Sequence, residues 1–156
     1  MNNQNPTNQE VSILVLMLNR VKLSTTPDHL KKPLYDLKMA AIKANEEYEE
    51  EKLVCCLMNG GIEVEEQGKP TNTFAMPKYP IRDETKGADE AFTEKIKKIS
   101  EQKHKYKEDM YLLQEKKSKL KVSRILTEDE FNVLLYEIDA LELECLRTYL
   151  VKQPKE

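Results

Sequence analysis

The sequence predicts an all-α protein built on a long antiparallel helical hairpin of the coiled-coil type. Two heptad stripes and the short connector between them lead to this prediction. The later stripe consists of Phe92, Ile96, Ile99, Lys103, Tyr106, Met110, Leu113, Lys117 and Leu120. The earlier stripe consists of Leu34, Leu37, Ala41, Ala44, Tyr48, Glu51, Cys55 and Met58. Stripes of this period are typical of long helices that lie along one another. Because only a turn-rich connector separates them, we expect them to be the two arms of one hairpin.

The composition also favours long, solvated helices. Of the 156 residues, 34% are charged and 6% are aromatic, and only four are glycine. So few glycines argue against a sandwich or barrel with many tight turns. The length suits one domain with a modest core. We predict a single helical-hairpin domain over residues 7–152, with disordered termini at residues 1–6 and 153–156.

Two capping boxes predict where the short terminal helices begin. Thr7 followed by Glu10 starts an N-terminal helix, for which a strand over residues 11–18 is the alternative. Thr127 followed by Glu130 starts a last helix that is expected to reach about residue 150. Both segments carry an apolar face, so we expect the two short helices to pack at the open end of the hairpin and to form the main core.

Proline and glycine set the limits of the two arms. Pro33 is poorly compatible with the interior of a straight helix, so the first arm is predicted over residues 33–58. Asn59, Gly60 and Gly61 then form a strong helix stop. The second arm is predicted over residues 88–121, which leaves residues 59–87 as the connector.

The connector contains a strand-like pattern. Residues 62–65 alternate apolar and acidic side chains, and residues 71–74 return after a turn at residues 67–70. This pattern predicts a small β-hairpin at the tip of the helical hairpin, with an irregular loop as the alternative. A two-stranded ribbon is only marginally stable alone, so it is expected to pack on other parts of the protein or on a partner.

Charge predicts how the two arms are aligned. If the tip is centred near residue 73, residue i of the first arm lies near residue 146 − i of the second. The acidic run at residues 46–51 then faces Lys95, Lys97 and Lys98. Exposed ion pairs add little stability, but they help to set register and orientation.

Apolar residues outside the stripes predict an interaction surface near the tip. Leu53 and Leu57 share one helix face because they are four residues apart. The candidate interface residues are Leu53, Leu57, Ile62, Val64 and Phe74. We expect a protein partner there, either a second copy of the chain in a homo-oligomer or a component of a larger assembly.

The sequence contains no membrane or export signal that we identify. The longest apolar run, Ile13 to Leu18, has six residues, whereas a membrane span needs about 20. The first ten residues lack the basic start of a signal peptide. Three cysteines without scaffold spacing fit a reducing compartment and small buried thiols. We therefore expect a cytoplasmic protein.

Residue patterns for catalysis are weak, so we predict a non-enzymatic protein without catalytic, cofactor-binding or metal-binding residues. One alternative comes from the run that starts at Glu46, which fits the E-E-x-x-E half-motif. This half-motif resembles the all-α nucleotide pyrophosphohydrolases of the MazG-like type, which hold Mg²⁺ with carboxylates on two helices. Their second motif, E-x-x-D, is absent from residues 88–121, where lysines stand instead.

A second alternative is non-specific binding of nucleic acid by the second arm. Residues 94–121 contain ten lysines and five acidic residues. Lysine suits sequence-independent contacts with phosphate. The net charge of the whole chain is −3, however, and arginine is scarce, so we do not expect nucleic acid to be the partner.

The order of parts resembles that of small helical proteins of unknown function encoded by tailed bacteriophages. The features are a short apolar N-terminal helix, a glutamate-rich helix, the connector string Gly68-Lys69-Pro70, a second helix led by Phe92, and the string A-L-E-L-E at residues 140–144. The resemblance implies a phage or mobile-element accessory protein that acts by binding, in the host cytoplasm or in the virion. It implies no catalytic residues.

Overall fold

The computed structural model describes residues 3–80, 90–138 and 141–152, and most of these residues are helical. The predicted helical class is thus confirmed. The helices are α1 (Asn8–Leu18), α2 (Asp28–Met58), α3 (Glu90–Glu115), α4 (Glu128–Ile138) and α5 (Arg147–Leu150). The strands are β1 (Asn3–Gln4), β2 (Ile62–Glu66), β3 (Lys69–Ala75) and β4 (Val122–Ser123). Leu23–Thr25 and Leu141–Leu146 form 3₁₀ turns. Within the described ranges, each helix is either too short or too polar for a bilayer span.

The chain divides into two compact units, where a single domain was predicted over residues 7–152. Unit 1 contains Met1–Tyr48 and Gln114–Glu156, and unit 2 contains Glu49–Leu113. Both boundaries fall inside long helices, α2 and α3. A helix that continues across a boundary leaves no linker in the sequence, which explains why the division could not be predicted from composition.

Helix α1 begins as its capping box predicts. The Thr7 hydroxyl accepts a hydrogen bond from the Glu10 amide at 3.2 Å, and the Glu10 carboxylate accepts one from the Thr7 amide at 2.9 Å. These two bonds satisfy amide groups that have no partner within the helix. The helical prediction is therefore confirmed over the alternative strand. Val11 and Leu14 point into the core of unit 1, with 0% and 1% of their surface exposed.

Unit 1 contains one continuous hydrophobic core. It draws on α1, the first part of α2, residues 120–126, α4 and α5, which agrees with the prediction that the terminal helices supply the main core. The largest fully buried side chains are Phe131, Leu14, Leu126, Leu146, Val11 and Val122. Close packing of such side chains is the main source of stability in a small unit.

The N-terminal segment, for which disorder was predicted over residues 1–6, contains a short strand, β1; residues 1 and 2 lie outside the described residues. β1 pairs antiparallel with β4. The Ser118 amide donates to the Pro6 carbonyl at 2.8 Å, and the Asn8 amide donates to the Lys116 carbonyl at 2.9 Å. These bonds use main-chain groups of the segment just after α3. Helix α3 ends at Glu115 and not near residue 121 as predicted.

Helix α2 begins before Pro33, which corrects the predicted start at that residue. Proline removes one helical hydrogen bond, and here it lies close to the helix start, where only the bond to the His29 carbonyl is lost. Leu30 and Leu34, on either side of Pro33, have 5% and 4% of their surface exposed. Burial of these two leucines offsets the lost bond, because each buried leucine contributes about 1.5–3 kcal/mol.

The predicted last helix over residues 127–150 is interrupted. α4 ends at Ile138, Leu141–Leu146 form a 3₁₀ turn, and α5 follows; residues 139 and 140 lie outside the described residues. The chain then returns to Leu126, whose amide donates to the Leu150 carbonyl at 2.9 Å and whose carbonyl accepts from the Lys152 amide at 2.8 Å. A continuous helix could not bring residues 150–152 back beside residue 126. Cys145 is exposed in this arrangement, which corrects the prediction of a buried thiol.

Tyr149 links the C-terminal part of unit 1 to α1. Its hydroxyl donates to the Glu10 carboxylate at 2.9 Å, and burial together with this bond raises the pKa of Tyr149 to about 12. An unfolded tyrosine titrates near pH 10. Because the folded pKa is the higher one, the stabilisation is present below about pH 10 and is lost as the pH rises through about 12.

We therefore expect Tyr149→Phe to lower the free energy of unfolding by about 1 kcal/mol at neutral pH. We also expect the variant to lose less stability than the wild type when the pH is raised into the alkaline range. Urea unfolding at a series of pH values up to about 12 measures both effects. Tyr111→Phe is the matched control, since 64% of Tyr111 is exposed. Equal pH profiles for the wild type and Tyr149→Phe would contradict this role of the hydroxyl.

Candidate interaction surface

In unit 2 the end of α2 packs antiparallel against α3, but in a different register from the predicted one. The Asn59 side-chain amide donates to the Asp109 carboxylate at 3.0 Å. A Cβ added to Gly60 would lie 2.7 Å from the Gln102 side-chain nitrogen. The predicted register places residue 59 opposite residue 87 and residue 60 opposite residue 86, so it is wrong by about four to six helical turns.

The connector explains the shift because part of it lies along α3. The Tyr79 hydroxyl is 3.1 Å from the Ser100 hydroxyl, and the Lys103 ammonium lies 4.3 Å from the centre of the Tyr79 ring. The third and fourth turns of α3 therefore contact the connector. Lys95, Lys97 and Lys98 are exposed.

Glycine ends α2 as predicted, and the two predicted strands follow. Gly60 has φ +87°, its amide donates to the Leu57 carbonyl at 3.2 Å, and the Gly61 amide donates to the Cys56 carbonyl at 2.8 Å. This pair of bonds is a Schellman motif. β2 and β3 then pair antiparallel through a two-residue turn at Gln67 and Gly68, both with positive φ. The pairing of the predicted strands is confirmed.

Few apolar side chains of unit 2 are fully buried among the residues whose burial is described. The α3 stripe residues Phe92, Ile96, Ile99, Tyr106, Met110 and Leu113 are all half-buried. Among the residues of unit 2 whose burial is described, Cys56 is the only fully buried hydrophobic side chain, with 2% of its surface exposed. The other hydrophobic side chains that are described as buried belong to unit 1. Within the described residues, the apolar side chains of unit 2 are thus mostly half-buried and not fully buried.

Two of the five candidate interface residues, Leu53 and Phe74, line the same open cavity. Its volume is about 440 Å³, and Cys56, Tyr106 and Met110 line it as well. Burial raises the pKa of the Cys56 thiol. Burial, followed by the nearby thiols, also raises the pKa of Tyr106. Both groups are therefore neutral at physiological pH, and they add polarisable but uncharged surface to the cavity.

Two further candidates, Leu57 and Ile62, are exposed at 49% and 61% of their surface. Val54 and Met58, which the sequence reasoning missed, are exposed at 52% and 80%. Val54, Leu57 and Met58 lie on one helix face because they are spaced by three and four residues. We call Val54, Leu57, Met58 and Ile62 the α2-end face. The heptad pattern had assigned Met58 to the stripe. Its four-residue spacing from Val54 was the signal that could have placed it on the exposed face.

The remaining candidate, Val64, is half-buried in β2. Within the described part of the chain, β2 and β3 pair only with each other, so each strand has an outer edge. Leu57 and Ile62 thus belong to an exposed apolar face, Leu53 and Phe74 belong to a cavity, and Val64 belongs to a strand with an open edge.

The Asn59 side chain joins the two helices of unit 2. It is 6% exposed and donates to the Cys55 carbonyl at 2.9 Å as well as to Asp109. We expect Asn59→Ala to destabilise unit 2 by about 1–3 kcal/mol, since it leaves both acceptors without this donor. Hydrogen exchange of the α3 amides near Asp109 measures the effect. Asp109→Asn is the control, because it keeps an acceptor oxygen; a loss as large as that of Asn59→Ala would contradict the assignment.

The carboxylates of the pyrophosphohydrolase half-motif are partly engaged in ion pairs. Glu47 lies 3.7 Å from Lys119, and Glu49 lies 2.6 Å from Lys52. In the described residues, no group of three or more His, Cys, Asp or Glu side chains is placed to hold a metal ion.

Comparison with known proteins gives no relative: no family model matches this chain, and neither a curated protein nor a solved structure matches it significantly.

Proposed function

We propose that this chain is a non-enzymatic interaction protein that acts by association through unit 2, either as a homo-oligomer or docked on a larger assembly. The observation that supports this proposal is the contrast between the two units. Unit 1 buries a continuous core, whereas the described residues of unit 2 bury a single hydrophobic side chain, Cys56. A small unit with few fully buried side chains is only marginally stable, and a partner that covers its exposed apolar side chains would stabilise it.

The α2-end face supplies the apolar surface for that association. Its four side chains are exposed at 49–80%, three of them on one helix face, and clustered exposed apolar side chains often mark an interface. The β2–β3 ribbon lies next to it in sequence and is marginal alone. We propose that, within unit 2, the end of α2 and the part of α3 that faces it belong to the tip of the predicted hairpin, and that the ribbon takes part in the contact.

The biological setting belongs to the same proposal. The order of parts resembles that of phage-encoded helical proteins, and an accessory role in the host cytoplasm or the virion fits a protein that acts through contacts. The partner is then a second copy of the chain or a protein of the same assembly.

Hydrogen exchange at low and at high protein concentration tests the proposal. In a homo-oligomer, a tenfold rise in concentration stabilises the associated state by up to about 1.4 kcal/mol per associating copy. We expect protection of the α3 amides of unit 2 to rise with concentration, while amides of α1 do not change.

The outcomes separate the two forms of the proposal. Weak protection of unit 2 at every concentration would favour docking on another protein. Strong protection of unit 2 at every concentration in a monomer would contradict the proposal, because unit 2 would then need no partner.

A further inference from the structure

An apolar groove lies in unit 1 and shares no residue with the α2-end face. It runs between the start of α2 and α4 and has a volume of about 240 Å³. Its floor consists of Leu30, Leu34, Leu126 and Leu134, which are buried. Sites for drug-sized ligands usually have about 300–1,000 Å³, whereas a cavity of about 150 Å³ holds benzene. The groove therefore suits one or two apolar side chains better than a cofactor.

The rim of this groove is acidic. Asp129, Glu130 and Glu137 line it, and no Lys or Arg is among its described lining residues. Glu130 already has partners: its carboxylate lies 2.6 Å from the His29 ring and accepts the Thr127 amide at 2.9 Å. Burial opposes ionisation of Glu130, but these hydrogen bonds outweigh it and lower the pKa. Asp129 and Glu137 are exposed, so a cation on a partner can reach their carboxylates.

Glu137 lies at a position where its charge does not stabilise α4. It lies in the last turn of α4, which contains no basic residue. The C-terminal end of a helix carries partial negative charge, so an acidic side chain there is unfavourable. Asp129, in the first turn, is explained by favourable interaction with the opposite end of the helix. Glu137 therefore has no such structural explanation, and a cation on a partner would give it one.

Exposed side chains of α4 that line the groove are regularly spaced. Asp129, Val133 and Glu137 follow one another at four-residue intervals, and 56% of Val133 is exposed. Leu30 and Leu34 form the facing row on α2 at the same spacing. An amphipathic helix presents its own side chains at this spacing, and docking of such helices into apolar grooves is a common mode of recognition.

We propose that this groove binds a basic amphipathic helix of a partner protein, with a large apolar side chain on the leucine floor and Lys or Arg one turn to either side, near Asp129 and Glu137. The groove and the α2-end face are separate surfaces, so this assignment does not depend on association through unit 2.

A synthetic peptide tests the assignment. The probe is a labelled helical peptide with leucines spaced by three and four residues along one face and lysines flanking them, and fluorescence anisotropy with the full chain measures its binding. Two matched peptides carry glutamate in place of the lysines or serine in place of the central leucine. We expect the first peptide to bind, and each matched peptide to bind about tenfold or more weakly.

Protein variants show whether the groove is the site. Glu137→Lys is expected to weaken binding about tenfold and to raise the stability of α4, because it removes the unfavourable charge. Val133→Ser is expected to weaken binding without a change in charge. Glu101→Lys on α3 makes the same charge change at an exposed position elsewhere and is expected to leave binding unchanged.

Three results would overturn the assignment. Equal binding of the glutamate peptide would show that charge does not select the partner. Equal weakening by Glu101→Lys would show that only the overall charge matters. If no peptide binds and Glu137→Lys lowers the mass of the protein in solution, the occupant is a second copy of this chain and not a separate partner.

Discussion

Phe131→Ala is expected to lower the free energy of unfolding of unit 1 by about 3–5 kcal/mol. Phe131 has 0% of its surface exposed and lies in the core together with Leu14, Leu126 and Leu146. Removal of the ring leaves a cavity that the surrounding side chains fill only in part. It also removes the contact with the Arg147 guanidinium, which lies 4.7 Å from the centre of the ring.

Urea unfolding followed by circular dichroism measures this loss. Tyr136→Ala is the matched control, because Tyr136 lies on the same helix with 89% of its surface exposed. A change within about 0.5 kcal/mol is expected for the control. Similar losses for the two variants would show that the core of unit 1 is not centred on Phe131.

Local signals in the sequence predicted the elements whose ends depend on nearby residues. The capping box at Thr7 and Glu10 fixed the start of α1 because both partners lie within four residues. The Gly60 stop and the turn at Gln67 and Gly68 were predictable for the same reason, since a positive φ is a local requirement.

Features that depend on distant contacts were not predictable. β1 and β4 have two residues each and carry no strand pattern, and they pair across more than a hundred positions of the chain. The end of α3 depends on hydrogen bonds from the N-terminal segment. The start of α2 depends on burial of Leu30 and Leu34, which offsets the effect of Pro33.

The candidate interface was predicted in part. Leu57 and Ile62 are exposed as expected, but Leu53 lines a cavity because the true register brings Tyr106 and Met110 beside it. Val54 and Met58 were missed because a heptad assignment cannot show which face of a helix end is left uncovered. The register itself depends on how the connector lies along α3, and no charge pattern in the two helices encodes that path.

Loss of association is the second large effect that we predict, and the variant that tests it combines Leu57→Lys with Met58→Lys. Both side chains belong to the exposed α2-end face, so charged replacements are tolerated in the isolated chain. In an associated form they would place two ammonium groups in an apolar contact, where burial of an unpaired charge is strongly unfavourable. We therefore expect the double variant to remain folded and to lose association.

Tyr111→Lys combined with Leu112→Lys is the matched control. These two residues are exposed at 64% and 67% on α3, also in unit 2, and their replacement adds the same charge. If association depends on the α2-end face, the control keeps it. A loss in both double variants would show that added charge alone prevents association.

Light scattering after size exclusion, on the wild type and these two double variants, measures the central claim most directly. We expect the mass of a homo-oligomer for the wild type and for the α3 control, and the mass of one chain, 18.2 kDa, for Leu57→Lys with Met58→Lys. A monomeric wild type in which unit 2 unfolds cooperatively and is strongly protected from hydrogen exchange would contradict association through unit 2.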